Sequence, residues 1–431
     1  MNAAVAETPA AVSPALASPA LAANDALARG NLQLADYLCR DALRADPQDA
    51  LAMTLLGHMA SGLRRWQLAE AWFTRALALR PESAEIGAWR DRARELAQAA
   101  RALAAAGGPR PLARPKYLLI KAWGYGFWSD MDHVVGQLLL AELTGRTPVV
   151  HWGANTLFGA SGVANAFELY FRPVSGATQD GLSAWGQSFF PAKWTAATLR
   201  DENVNKFQGP GSRTSALHLV ARDEDVVVSD FHGKVVDLMA WIEPDSPWAG
   251  LDYQAIYRRL FAKYIQLQPA LQARVDTFAN ERMAGRRWVA VHVRGSDKIT
   301  ELRDLELVNQ QYQHRIEKML QDDPAMGIFL LTDSEHFARE YRQKYGERVL
   351  FADVARSADA TGVHYAGHEG RKVGEEVVLD AHLAARCDAF LGNGASNVST
   401  AIRHLKDWAP GSFELIGADF LASPNLMLHR W

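Results

Sequence analysis

From Tyr117 onward, short apolar runs alternate with longer segments of helical pattern. We predict seven strands: Tyr117–Ala122, Pro148–His151, Val226–Ser229, Trp288–Val293, Gly327–Leu331, Val349–Phe351 and Ala389–Gly392. Strands that alternate with helices form parallel sheets whose two faces the helices cover. About 300 residues exceed the usual size of one such domain. We therefore predict two α/β domains with a cleft between them and a boundary near Ala284–Gly285.

The segment before these strands is helical in pattern and repeats itself. Ala35, Cys39, Ala42 and Pro47 recur 34 residues later as Ala69, Phe73, Ala76 and Pro81. A period of 34 residues is that of the tetratricopeptide repeat, in which small residues let two helices pack closely and proline ends the second helix. The alternative is an ordinary helical bundle with chance spacing. We predict a tetratricopeptide-like all-α module.

Composition supplies the remaining boundaries. Residues 1–23 are mostly Ala, Pro and Ser and predict a disordered tail, because such residues cannot bury enough apolar area. The helical module then covers residues 24–103. A linker rich in Gly and Pro covers residues 104–115, and the α/β segments cover 116–284 and 285–405. Residues 406–431 form a C-terminal segment.

Charge and hydropathy exclude several classes of partner. The chain has 431 residues and a formal net charge of -3, which does not point to nucleic acid. It has no signal-peptide pattern and no run of eighteen apolar residues, so we expect a cytoplasmic protein without a membrane span. The two cysteines, Cys39 and Cys387, are far apart and are expected to be free and buried.

The end of the predicted Trp288–Val293 strand is dense in chemically active side chains. His292, Arg294, Asp297 and Lys298 lie within seven residues. An arginine at a strand end can hold a phosphate with two hydrogen bonds, and a nearby lysine adds a point charge. Ligands of parallel sheets bind at this edge. A solvated loop of mixed charge is the alternative.

The residues that follow three further predicted strands are also candidates for ligand binding at the carboxyl ends of the strands. Asp333 follows the Gly327–Leu331 strand, where capping of the next helix is the alternative. Residues 393–397 combine small residues with a helix start, which is an anion-binding arrangement. Gly124–Gly126 follow the first strand and allow a ligand to approach the backbone, and a tight turn is the alternative.

The sequence gives little support for a metal site or for a hydrolase active site. Asp223-Glu224-Asp225 has the Asp-x-Asp form of some metal-dependent glycosyltransferases, but it precedes a strand and is predicted to be an exposed turn. The sequence has no metalloprotease, Walker or serine-hydrolase motif. The residues Trp185, Trp194 and Trp241 either line a sugar groove or pack in the core.

Four ordered segments together resemble the α1,6-fucosyltransferase family. These segments are His292–Lys298, which resembles H-V-R-R-T-D-K; Gly124–Gly126 with Asp132–Val135; Phe167–Ser175; and Val378–His382 followed by Ser396-Asn397. The resemblance covers roughly residues 117–405. It implies a GT-B-like pair of Rossmann-type domains, with residues 116–284 on the acceptor side and 285–405 binding the donor. It also implies a GDP-fucose donor, no metal, no cofactor and inversion at the anomeric carbon.

The resemblance also implies roles for individual residues. His292 and Asp380 would contact guanine, Arg294 and Ser396 would hold the diphosphate, and Asp333 would lie in the donor site. Asn397 and Gly124, Tyr125 and Gly126 would also line the donor site. Glu301 with Lys298 would lie nearest the reaction centre, Asp297 and Arg294 beside them, and Asp297 and Asp304 are the alternative bases. Here Gly295 stands at the family's second arginine, Ser334 at a second acid, and Asn397 at a glutamine.

We therefore expect a glycosyltransferase that transfers fucose from GDP-fucose to a bacterial glycan or protein. One alternative is a protein-modifying transferase that uses another GDP-sugar and docks a polypeptide on its helical repeats. Another alternative is a non-catalytic tetratricopeptide scaffold with a decayed transferase lobe. The helical repeats could also bind a protein partner or a second copy of the chain.

Overall fold

The computed structural model describes residues 18–106, 114–184, 186–209, 211–295, 305–357 and 369–423. The chain divides into two units, Met1–Ala100 and Arg101–Trp431. The first unit is helical, and the second contains two parallel sheets with their helices. The predicted mixed α/β class with a helical N-terminal part is confirmed.

Five helices account for the described part of the first unit and its junction with the second. They are α1 (Pro19–Ala28), α2 (Leu32–Ala45), α3 (Ala50–Gly62), α4 (Trp66–Leu79) and α5 (Ala84–Ala106). Gly30, with a φ of 75°, turns the chain after α1, and the Asn31 side chain caps α2 by accepting from Leu34 N at 3.1 Å. Helix α1 packs on α2, and α3 packs on α4.

Pro47 and Pro81 are exposed, and the other six residues that repeat at 34-residue spacing lie in the cores of these hairpins. Their side chains are all buried, and they are Ala35, Cys39, Ala42, Ala69, Phe73 and Ala76. A Cβ at Gly57 of α3 would lie 2.6 Å from the Phe73 ring of α4, so only glycine permits this approach. The close packing has the form that the repeat predicts. Membership of the tetratricopeptide class stays a prediction.

The first sheet has the strand order β2-β1-β4-β3, and all its strands are parallel. Its strands are β1 (Tyr117–Lys121), β2 (Thr147–His151), β3 (Phe189–Phe190) and β4 (Val226–Ser229). The helices are α6 (Phe127–Thr144), α7 (Ala216–Val220), α8 (Val235–Leu238), α9 (Tyr253–Tyr264) and α10 (Pro269–Phe278). One face packs Leu119, Val149 and Val228 against Trp194.

The second sheet has the order β7-β6-β5-β8-β9 and is also parallel. Its strands are β5 (Trp288–Val293), β6 (Gly327–Thr332), β7 (Val349–Leu350), β8 (Ala389–Asn393) and β9 (Phe413–Ile416). The helices are α11 (Leu305–Asp322), α12 (Glu335–Tyr345), α13 (Gly370–Ala384) and α14 (Asn397–His404). Val291, Ile328 and Leu391 pack against Tyr312 and Ile316 of α11.

Side chains of the first sheet's region contact segments of the second. The Tyr170 hydroxyl lies 3.3 Å from the Arg371 carbonyl at the start of α13. Lys234 Nζ donates to the Phe420 carbonyl at 2.9 Å, and the Tyr257 ring stacks on His404 with centroids 4.6 Å apart. These contacts lie within the second unit. The boundary predicted at Ala284–Gly285 falls in a turn just before β5, where Gly285 has a φ of 77°.

Three predicted boundaries need correction. Helix α1 begins at Pro19, inside the predicted tail, because its alanines at 20, 23 and 26 are buried against the module. Helix α5 runs to Ala106, into the predicted linker. Strand β9 comes from the C-terminal segment 406–431 and pairs with β8, so the second α/β domain does not end at residue 405. Residues 1–17 and 107–113 lie outside the described chain.

Substitution of Gly57 tests the close packing of α3 on α4. Gly57→Ala should lower the free energy of unfolding by about 1–3 kcal/mol, because the new methyl group overlaps the buried Phe73 ring. The matched control is Gly62→Ala in the same helix, where a Cβ meets nothing within 4 Å. That variant should be neutral or more stable by up to about 1 kcal/mol. Urea unfolding of both variants is the measurement, and equal midpoints would contradict the packing argument.

Candidate functional site

The carboxyl ends of β6, β5 and β8 lie side by side because the three strands are parallel neighbours. Strand β5 pairs with β6 through His292 and Leu331, and with β8 through Val291 and Leu391. The residues that follow each strand therefore share one edge of the sheet. This is the edge where the sequence predicts a donor site.

An ion pair connects the ends of β5 and β6. Arg294 Nη1 donates to Asp333 Oδ2 at 2.5 Å, and Gly295 N donates to Asp333 Oδ1 at 3.0 Å. Both side chains are partly exposed, Arg294 by 18% and Asp333 by 12%. Asp333 therefore does more than the alternative role of helix capping. The carboxylate fixes the guanidinium at the strand end while leaving part of it open to a ligand.

His292 connects the same strand to the start of α14. Its Nδ1 lies 2.7 Å from Ser399 Oγ, and that oxygen accepts a hydrogen bond from Asn393 N at 3.2 Å. The imidazole is 4% exposed. Burial, and secondly the Arg294 guanidinium, lower the pKa of His292, while Asp333 opposes them. The ring is therefore neutral at pH 7, with one donor and one acceptor nitrogen.

The loop between β8 and α14 contains the predicted anion-binding segment. The amides of Gly394, Ala395 and Ser396 donate to Ile416 O, Asn393 Oδ1 and Asn393 O, respectively. These amides are satisfied within the protein. A helix leaves its first-turn amides without intrahelical acceptors. An anion would therefore bind the amides of residues 397–399, with Ser396 and Asn397 at the helix start.

Asp380 lies on α13 and faces a different set of residues. Burial raises the pKa of Asp380 to about 7; the Arg356 guanidinium lowers this pKa and Glu376 raises it further. Ser357, which follows Arg356 in the sequence, donates its amide to the Asp333 carbonyl at 2.7 Å. Asp380 is thus linked to the strand-end group through the 356–357 segment. Among the described contacts, none joins Asp380 directly to His292.

The predicted Gly124, Tyr125 and Gly126 belong to the first sheet and follow β1. Asp130 Oδ1 accepts from Gly124 N at 2.8 Å and from Tyr125 N at 3.3 Å. Gly124 has a φ of 92°, a backbone conformation that glycine adopts readily and residues with a side chain rarely adopt. Tyr125 is 42% exposed, and its ring lies against Trp123 with centroids 4.7 Å apart. The segment is thus a turn whose aromatic side chain is accessible.

The sequence analysis missed two buried groups that support this turn. Asp130 is fully buried, and burial raises its pKa to about 7, although the amides of Tyr125 and Gly124 lower it. Lys206 Nζ donates to the carbonyls of Ala122 and Trp123 at 3.0 and 2.9 Å. Asp130 lies only four residues after Gly126, so its position in the sequence could have indicated a carboxylate that supports the turn. Lys206 lies more than 80 residues away in sequence and carried no signal.

The remaining predicted residues have the following positions. Asp297, Lys298, Glu301 and Asp304 lie outside the described residues, as does Trp185. Asp223 is a fully exposed side chain that pairs with Lys116 just before β4, as predicted, whereas Asp225 is only 14% exposed and accepts from Ser188 N at 2.8 Å. Trp194 and Trp241 are each 1% exposed and belong to the core, which excludes them from an acceptor groove.

The described residues show neither a metal-binding cluster nor a membrane-spanning helix. Within the ranges given above, no group of three or more His, Cys, Asp or Glu side chains is arranged to hold a metal ion. No helix in that part of the chain combines the length and apolar character needed to cross a membrane. Cys39 and Cys387 are buried and free, as expected.

Comparison with known proteins gives similarities to solved structures. The fucosyltransferase NodZ from Bradyrhizobium is 19% identical, covers 67% of this chain and 93% of its own, and has a TM-score of 0.44. NodZ alpha-1,6-fucosyltransferase soaked with GDP-fucose is 20% identical, with coverages of 67% and 92% and a TM-score of 0.42. POFUT1 in complex with GDP-fucose is 14% identical, with coverages of 72% and 100% and a TM-score of 0.44.

No family model and no curated protein matches the chain. The structural similarities have identities of 20% or less and TM-scores below 0.5. Similarities of this size do not decide function.

The buried carboxyl of Asp130 predicts an unusual dependence of stability on pH. In the unfolded chain this group ionises near pH 4, whereas in the folded chain it keeps its proton to about pH 7. Its contribution to stability is therefore complete below pH 4 and is lost as the pH rises to 7. The wild type should lose up to about 1.4 kcal/mol per pH unit in this window relative to Asp130→Asn.

Urea unfolding of both proteins between pH 4 and 8 measures this difference. The amide of Asp130→Asn keeps an oxygen for the Gly124 and Tyr125 amides, so the turn should be retained. The control is Asp407→Asn, whose carboxylate is 90% exposed. This variant should run parallel to the wild type. Parallel curves for the Asp130 variant too would show that the carboxyl is not buried in a protonated form.

The side chains packed around Gly295 leave no room for a larger residue at this position. A Cβ there would lie 2.6 Å from the Phe337 ring and 2.9 Å from Ser334 Cβ. Gly295→Ala should therefore cost about 1–3 kcal/mol of unfolding free energy. Combining it with Phe337→Leu should give a smaller loss than the sum of the two single changes. Gly176→Ala, where nothing lies within 4 Å, is the control, and strict additivity in the double variant would refute the overlap.

Proposed function

We propose that this chain is a glycosyltransferase that binds GDP-fucose at the carboxyl edge of its second sheet and transfers fucose to a glycan or protein acceptor. The observation that carries the proposal is Arg294, whose side chain is 18% exposed and is held at the end of β5 by Asp333, a carboxylate that also accepts from Gly295 N. A fixed guanidinium at a parallel-strand edge suits a diphosphate. The four-segment resemblance to α1,6-fucosyltransferases agrees with this choice of donor.

His292 and Asp380 have the chemistry that a guanine base requires. A neutral imidazole offers one donor and one acceptor, and a carboxylate accepts from the ring N–H and amino group of guanine. The link from Asp333 through Ser357 to the Arg356 that faces Asp380 supports a common site. Ser396 and Asn397 would face the diphosphate at the start of α14, where the helix dipole favours negative charge.

The transfer itself needs two further functions. A base takes the proton of the acceptor hydroxyl as that oxygen bonds to the anomeric carbon, and the sugar–phosphate bond breaks to release GDP. We assign the base to Glu301, with Asp297 and Asp304 as alternatives. Arg294 and Lys298 would stabilise the departing diphosphate in place of a metal, together with backbone amides. Attack from the side opposite the leaving group gives inversion.

Gly295 favours a second candidate for the donor sugar. The α1,6-fucosyltransferase pattern has its second arginine at this position, whereas here the Phe337 ring fills the space that a side chain would need. One cation fewer beside the diphosphate alters the surroundings of the attached sugar. A different GDP-sugar is therefore the alternative to GDP-fucose. Rates of GDP-fucose and GDP-mannose hydrolysis by the full chain separate the two.

Calorimetry with GDP, UDP and ADP tests the nucleotide assignment. GDP should bind, and Arg294→Ala should weaken its binding at least about tenfold, because charge-assisted hydrogen bonds to phosphate contribute roughly 1.5–3 kcal/mol. The matched control is Arg339→Ala, an exposed arginine on α12, which should bind GDP like the wild type. UDP binding without GDP binding would overturn the guanosine assignment. Unchanged GDP binding by the Arg294 variant would overturn the placement of the diphosphate.

A further inference from the structure

A cavity outside the candidate donor site opens at the carboxyl end of β2. Its volume is about 700 Å³, and it is lined by His151, the loop of residues 153–166, and Arg200 and Glu202. A smaller cavity of about 160 Å³ adjoins it and shares His151, Gln179 and Asp180. Ligand cavities of proteins commonly measure 300–1,000 Å³. The larger cavity therefore has room for a small organic molecule, and the smaller one for a substituent.

One wall of this cavity brings a carboxylate against bare backbone. A Cβ at Gly153 would lie 2.0 Å from Glu202 Oε1, so glycine is required for the carboxylate to lie there. Lys121 Nζ lies 3.4 Å from the same oxygen and has only 1% of its side chain exposed. Burial raises the pKa of Glu202, and Lys121 lowers it. The carboxyl group is thus a fixed polar group of the wall.

His151 supplies a polar group that carries no charge. Burial, then Lys121, lower the pKa of this imidazole to about 4, with Asp180 opposing and Arg200 adding to the decrease. A neutral imidazole donates through one nitrogen and accepts through the other. A hydroxyl group has the same two capacities. The wall formed by His151 therefore matches a ligand whose groups both donate and accept hydrogen bonds.

The charges around the cavity largely balance. Arg200 Nη2 donates to Asp180 Oδ1 at 2.8 Å, and both side chains are about 70% exposed at the rim (69% and 73%). Lys121 compensates the charge of Glu202 from inside the protein, with only 1% of its side chain exposed. An anionic ligand would meet the acids Asp180 and Glu202, and a cationic ligand would meet Arg200. Small lining residues such as Ala154 and Ala160 leave apolar surface between the polar groups.

We infer that this cavity binds a neutral sugar ring of the acceptor, an inference that rests on the proposed transferase function. A sugar ring presents hydroxyl groups around its edge and C–H groups on its faces. The edge suits His151, Glu202 and the rim pair, and the faces suit the alanine and leucine surface. The start of α13 reaches this cavity through Gly370, about 15 Å along that helix from Asp380 at 1.5 Å per residue.

Saturation-transfer NMR with the full chain tests the inference. The probes are methyl glycosides of glucose, galactose, mannose and N-acetylglucosamine, with the methyl glycoside of sialic acid as the anionic comparison. At least one neutral probe should receive saturation. Ala154→Trp, an exposed substitution that fills the cavity, should reduce that signal at least fivefold. Ala273→Trp, an exposed alanine on α10 outside the cavity, should leave it unchanged.

Calorimetry with GDP on the same three proteins separates this inference from the proposed function. GDP binding without any signal from the neutral glycosides would overturn the sugar cavity and leave the donor proposal standing. A glycoside signal that Ala154→Trp removes, in a protein that does not bind GDP, would keep the sugar cavity and refute the proposed GDP-sugar donor. Preference for the sialoside, or a neutral signal that survives Ala154→Trp, would overturn the cavity assignment.

Discussion

Parallel pairing of β5 with both β6 and β8 is the constraint on which the candidate site depends. It brings three strand ends to one edge although they are separated by up to 100 residues in sequence. Asp333 then holds Arg294 and the amide of Gly295, and Ser399 connects His292 to the next strand. These side chains are thereby fixed by contacts within the protein. Groups fixed in advance would lose little freedom on binding the proposed diphosphate.

Burial of polar groups sets the chemistry around both sheets. His292 and His151 are held neutral because an imidazolium would lose its hydration in these surroundings, and Asp130 is held protonated to about pH 7 for the same reason. At pH 7 the two imidazoles therefore act as neutral hydrogen-bonding partners, whereas the Asp130 carboxyl is at the midpoint of its titration. Among the described residues at the second sheet's edge, Arg294 and Asp333 form a partly exposed ion pair, with side chains 18% and 12% exposed.

Packing and chemistry compete at Gly295. The residue follows Arg294 directly, yet the Phe337 ring and Ser334 exclude any side chain there. A second cation would have to displace an aromatic ring that packs against the core of the second sheet. The protein thus combines a tightly packed strand end with a single arginine. This arrangement explains why the sequence departs from the pattern it resembles at this position and not at Arg294.

Periodicity and turn residues act locally, and they were enough to predict the mixed class of the fold, the seven main strands and the strand-end positions of His292, Arg294 and Asp333. They did not determine the edge strands β3 and β9, which are short and are defined by the neighbour they pair with. Four features emerge only when the chain is folded: Asp333 pairs with Arg294, Ser399 contacts His292, Lys206 supports the turn after β1, and a cavity opens beside His151. Each of these depends on residues distant in sequence, whose distances are fixed when the helices and sheets pack.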